Sequence, residues 1–330
     1  MKCLIQSGAD VNPLNAVTFL TEHGANMALK DSDGYIALHH ASNSHYSHEI
    51  LKCLIQSGAD VNACTKTKST PLMMACKCGL LNAVTFLTEH GANVALKDSD
   101  GYTALHHTCN SHSHHSITLL SYLIENGADI NACTNDDYTP LMVAAQKGDI
   151  NAVTSLVECG ANVHHRDRDG RTALHFAIYY ISPASIVEVS SSLVKYGATP
   201  TICNETLQML GRCDGHENVV AFLIEHGADL DLQDKDGDTA LYYAASSSLP
   251  EFVKTFLNLG ASHMCNHQGL TPLHQASISA NIAVVEYLIQ RPEITREQRV
   301  DALELLGASD LLLLNLLSLN ILFILVSTEH

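Results

Sequence analysis

The sequence predicts an all-α solenoid of stacked helix-turn-helix units, on three observations. A four-residue motif recurs at steps of 32 to 36 residues along the chain. A second marker, Gly-Ala followed by Asp, Asn, Thr or Ser, recurs at similar intervals. Paired apolar positions at helical spacing lie between the two markers. A unit this short cannot bury its own apolar face, so neighbours must stack, and no real β-sheet is expected.

The motif is Thr70-Pro71-Leu72-Met73, and it returns as Thr103-Ala104-Leu105-His106, Thr139-Pro140-Leu141-Met142 and Thr172-Ala173-Leu174-His175. Thr239-Ala240-Leu241-Tyr242 and Thr271-Pro272-Leu273-His274 follow, with Ile36-Ala37-Leu38-His39 an earlier copy and Thr206-Leu207 a degraded one. Threonine there can accept a first-turn N–H and cap a helix. Proline next to it occupies the first helical position, where its missing N–H costs nothing. A second helix carries pairs such as Ala83-Val84 and Phe86-Leu87, and Gly91 ends it as a left-handed cap. Asp98-Ser99-Asp100-Gly101, Asp167-Arg168-Asp169-Gly170 and Asp234-Lys235-Asp236-Gly237 then read as tight turns.

These residues resemble the ankyrin-repeat signature over about 40 to 310. The resemblance implies L-shaped repeats whose turn tips and first-helix faces form a concave surface for a protein partner.

The period has irregularities. Residues 2–12 are identical to 52–62, and 14–40 match 81–107 except for Met27 against Val94 and Ile36 against Thr103. The first copy lacks the stretch equivalent to 63–80, so the chain opens on two second-helix segments in succession. Additions between first and second helices fall in 108–117 and 179–186. The copy at Thr206 should be the weakest, with Gly211 inside a helix where alanine is usual. This divides the chain into an irregular start at 1–30, repeats over 31–290, a terminal helix over 291–310 and an apolar tail over 311–330. The apolar run of the tail, 311–326, falls short of the ~20 residues of a membrane span, so a membrane contact is expected only through it.

Composition narrows the function. Asp plus Glu number 35 against 18 Lys plus Arg, a net charge of −17. Such a surface repels phosphate backbones, which argues against nucleic acid and favours a basic protein or peptide. The 11 cysteines fall mostly within repeats and nothing at the start reads as a signal peptide, so reduced thiols and a cytoplasmic or nuclear location are expected. His106, His107, Cys109, His112, His114 and His115 lie close together without zinc-ligand spacing. The Asp-rich turns fail the calcium-loop pattern, because Leu232 falls at its first position. Cys76 and Cys78 face different directions on a helix. With no phosphate-binding glycine loop, nucleophile elbow or zinc-protease motif, neither an enzyme nor a cofactor is expected.

A narrower resemblance lies at the C-terminal join. Ala302-Leu303-Glu304-Leu305-Leu306-Gly307-Ala308 after the last repeat, with Thr65-Lys66-Thr67-Lys68-Ser69-Thr70-Pro71-Leu72, resembles the feminization-1 (Fem) family. That resemblance implies the substrate arm of a cullin-type ubiquitin ligase, often reading a basic C-terminal degron. The family's helical region that docks elongin and a cullin has no counterpart after Ser309. The first expectation is therefore an interaction scaffold, with the ligase arm as alternative. The candidate partner-binding residues are the turn carboxylates Asp98, Asp100, Asp136, Asp137, Asp167, Asp169, Asp234, Asp236 and Asp238.

Overall fold

A computed structural model describes residues 13–44, 48–111, 116–179, 215–246 and 250–307. Among the described residues there are helices and turns and no strand. Two units are distinguished, Met1–Ala144 with Asn151–Asn162, and Ala145–Ile150 with Val163–His330.

In the first unit, α1 (Pro13–Glu22) is a second-type helix without a first-type partner among the described residues. The pairs α2 (Ala37–Ser42) with α3 (His48–Gln56), α4 (Pro71–Lys77) with α5 (Leu81–Glu89), and α6 (Ala104–Cys109) with α7 (Ser116–Glu125) follow. Each of these first helices packs on its own second helix, and α4 packs on both α2 and α6. Second helices stack on one another in the order α1, α3, α5, α7. The chain continues through α8 (Pro140–Gln146) and α9 (Ile150–Glu158).

Local chemistry sets these boundaries. The Thr70, Thr139 and Thr239 hydroxyls each accept the backbone N–H three residues on at 3.3 Å, and Thr271 does so at 3.5 Å. Pro71 and Pro272 stand in the first turn of their helices, as expected. Among the described copies the motif leucine is buried, from Leu38 and Leu72 to Leu241 and Leu273. At the far end of a second helix, Gly91 takes a φ of +89°. That turn lets the Ala92 N–H reach back to the Leu87 carbonyl at 2.9 Å and buries the alanine methyl. The Gly-Ala marker is thus one device: glycine reverses the chain and alanine plugs the gap beneath it.

In the second unit, α10 (Ala173–Tyr179) packs on α11 (Gly215–Glu225) and on α12 (Ala240–Ser246). Then α12 pairs with α13 (Pro250–Asn258), and α14 (Pro272–Ile278) with α15 (Ile282–Ile289). The terminal helix α16 (Arg296–Gly307) packs against α14. The sequence places further repeat elements, including the copy at Thr206, in 180–214, which lies outside the described residues. The described helices nevertheless close on each other: α11 stands against α10 as its second helix, although it follows it by a whole further period. His112, His114, His115, the duplicated residues 2–12 and the apolar run 311–326 also lie outside the described residues. Among those described, no helix is long and apolar enough to cross a membrane.

Candidate partner-binding surface

The inter-repeat turns are built on one plan. The Asp98 N–H donates to the Tyr102 carbonyl at 2.9 Å, and Gly101, with φ of +87°, donates back to the Asp98 carbonyl at 3.1 Å. One carboxylate oxygen of Asp98 accepts the N–H groups of Asp100 at 3.0 Å and Tyr102 at 2.8 Å. Thr134 and Asn266 use their own side-chain oxygens in the same place, on Tyr138 and on Leu270. Two turns place a non-glycine residue at the left-handed position, Lys68 with φ of +58° and Asp137 with φ of +63°.

Successive turns are joined backbone to backbone. The N–H of Lys66 donates to the Asp33 carbonyl at 3.0 Å, Ser99 to Thr67 at 2.8 Å, and Asn135 to Asp100 at 2.9 Å. In the second unit Lys235 donates to the Asp169 carbonyl at 2.5 Å and His267 to Asp236 at 3.0 Å. The Lys235–Asp169 link passes over one period. Arg166 makes the same passage with its guanidinium on the Gln233 carbonyl.

Motif histidines tie the repeats beneath the turns. The Thr103 N–H donates to His106 Nδ1 at 3.2 Å, which leaves Nε2 as the donor to the Tyr138 carbonyl at 2.9 Å. His39 repeats this between Ile36 and Ser69. Burial lowers the His106 pKa to about 4, and the committed Nδ1 acceptor agrees with a neutral ring. His175 accepts from the Thr172 N–H at 3.1 Å, but its buried Nε2 has no hydrogen-bond partner. It sits where the stack passes over a period.

The turn carboxylates nominated from the sequence divide into two sets. Asp98 is held by His107 Nε2 at 2.9 Å, and its side chain is only 10% exposed. Burial pulls its pKa up, but the His107 contact and the turn N–H groups outweigh that and leave it lowered. Asp167 is closed by Arg171 at 2.8 Å and buried, and Asp234 accepts the Tyr243 hydroxyl at 2.6 Å. Asp169 pairs with Lys235 at 2.6 Å and with Arg171 at 3.0 Å. Half-buried Asp238 accepts from Asn266 Nδ2 at 2.9 Å, and burial raises its pKa. Asp100, Asp136 and Asp236 are the members of the nominated set that stand exposed, and Asp137 is half-buried. Sequence reasoning missed these partners: His107 and Tyr243 lie nine residues on along the following helix, Arg171 lies at the end of the same turn, and Lys235 and Asn266 lie in other turns. Among the described residues no group of three or more metal-ligating side chains is placed to hold a metal ion.

The ankyrin-repeat family model matches residues 4–98, 38–132, 92–167, 113–204 and 207–298. The chain belongs to the ankyrin-repeat family. It is similar to an ankyrin repeat protein of Acanthamoeba polyphaga mimivirus, 36% identical over 101 residues, which are 30% of this chain and 13% of that protein. It is also similar to human transient receptor potential cation channel subfamily A member 1, 28% identical over 57% of this chain and 17% of the channel. A third relative is phosphocholine transferase AnkX of Legionella pneumophila, 27% identical over 60% of this chain and 22% of the transferase. The chain spans less than a quarter of the length of each of these relatives. Ankyrin repeats generally mediate protein–protein interaction and are typically non-catalytic.

Proposed function

We propose that the chain is a protein–protein interaction scaffold that takes its partner on the turn tips and the adjacent first-helix faces. The observation that carries this reading is the backbone ladder between turns. It fixes the tips rigidly while leaving the side chains of Asp100, Asp136 and Asp236 pointing to solvent. Within each unit, turn tips held in this way lose little conformational freedom on binding. Exposed carboxylates on it favour a basic peptide segment, such as a basic C-terminal tail.

The test replaces Asp100, Asp136 and Asp236 together by Asn, and compares the variant with one that replaces the exposed second-helix acids Glu89, Glu158 and Glu225 by Gln. Both remove three charges, so net charge is controlled. Quantitative affinity capture at low and physiological salt should lose a defined set of partners with the turn variant and keep them with the helix variant. Identical partner sets for both would exclude the turns as the contact.

A second reading is the substrate arm of a ubiquitin ligase. It rests on the resemblance of α16, which holds Ala302 to Gly307 of the Fem-like stretch and packs on the last repeat. Co-purification of elongin and a cullin with the full chain separates the two readings.

A further inference from the structure

The strongest unassigned feature is a basic cluster at the end of the second unit, in a chain otherwise dominated by acids. In other repeats the third residue after the capping glycine is apolar, as with Val61, Val94 and Val163. After Gly260 that residue is His263, and both of its ring nitrogens are buried without a hydrogen-bond partner. Its charged neighbours are Glu293 and Arg291, in the turn that follows α15. The Arg291 guanidinium lies 5.4 Å from the Tyr287 ring centroid, and the Lys254 ammonium is 5.5 Å from that same centroid. Arg299, on α16, is only 7% exposed. One of its terminal amino groups donates to the Arg291 carbonyl at 3.1 Å, which joins the two arginines. The Nε atoms of both are buried and unpartnered. Glu293 stands 3.9 Å from Arg291 Nε, too far for a hydrogen bond, and more than half of its side chain is exposed.

An unsatisfied buried donor is costly, and more so when it carries charge. Unpartnered donors on two joined guanidiniums, beside a histidine whose pKa burial lowers but whose neutral ring still carries one N–H, make the cluster complementary to an anion rich in acceptor oxygens. Guanidinium forks match carboxylate and phosphate geometry. We propose that His263, Arg291 and Arg299 form an oxyanion-binding site that takes a phosphate or carboxylate group.

Calorimetric titration of the full chain in low-chloride buffer, with inorganic phosphate and separately with acetate, tests this. Saturable binding of phosphate alone assigns a phosphoryl ligand. Saturable binding of acetate, alone or with phosphate, assigns a carboxylate. Arg291→Gln should weaken binding about tenfold, the loss of one charge-assisted hydrogen bond. Arg299→Met should do so as well, and its thermal melt shows whether it still folds. His263→Val restores the residue type of the other repeats, so it should fold and still bind more weakly. Absence of saturable heat with either anion overturns the site. So does binding that is unchanged in both Arg291→Gln and His263→Val.

Discussion

At the scale of single residues, the buried histidines set the acid limit of the fold. His39, His106, His175 and His274 each accept a backbone N–H on Nδ1, and burial lowers the pKa of each. In the unfolded chain they take up protons below about pH 6.5, whereas His106 in the folded chain does so only near 4. The unfolded state therefore binds more protons between those values, and stability falls as pH falls through that window. His106 alone contributes on the order of 3 kcal/mol to the loss by pH 4. The urea midpoint should decline steadily from pH 7 to pH 4.5, and a flat profile would contradict the neutral, buried state of these rings. Much at this scale was legible in the sequence, because threonine caps, Gly-Ala ends and motif leucines each follow a rule of the local backbone. The fate of the turn carboxylates was not. Whether Asp98 or Asp234 faces a partner depends on His107 and Tyr243 returning over the turn from the next helix.

At the scale of the element, two glycines of similar backbone do different work. Gly91 and Gly101 have φ of +89° and +87°. A Cβ on Gly91 would meet nothing within 4 Å, whereas one on Gly101 would stand 2.5 Å from the Asn135 amide nitrogen, the donor that joins the turns. Gly91→Ala should cost about 1–2 kcal/mol for the left-handed backbone alone. Gly101→Ala should cost about 3 kcal/mol or more, because the ladder must open as well. Equal urea midpoints for the two variants would refute the ladder. The duplicated segment supplies a second contrast. Phe19 and Phe86 sit in identical sequence, yet they are 59% and 4% exposed. The ring of His48, on α3, lies 4.4 Å from that of Phe86. Phe86→Glu should destabilise by about 4 kcal/mol or more, while Phe19→Glu should stay within about 0.5 kcal/mol. Denaturation of the two variants in parallel checks this, and similar losses would show that the two faces are equally covered.

At the scale of the whole molecule, the stack passes over one period. The hydrogen bonds that elsewhere link turns about 33 residues apart link Asp169 to Lys235 instead, and α11 completes the pair begun by α10. Periodicity could not reveal this, since Gly197-Ala198 and Thr206-Leu207 keep the rhythm through the intervening stretch. Deletion of residues 180–213, which joins Tyr179 to Asp214, should leave the second unit folded. Amide exchange at Val219, Val220 and Leu223, all buried, should be as slow as in the full chain. Rapid exchange there would show that the passage from α10 to α11 needs the deleted residues.

The turn ladder carries a consequence for how such a chain changes over generations. Its bonds run from main chain to main chain and ask little of the side chains they join, so any two repeats with the right turn can become neighbours. Gain or loss of a whole period leaves every joint intact, whereas a shift of a few residues breaks one. The copied segment at 14–40 keeps such a turn, and through it the Asp33 carbonyl accepts the Lys66 N–H of the next repeat. A lineage of such chains should vary in its number of repeats more freely than in the length of any one of them.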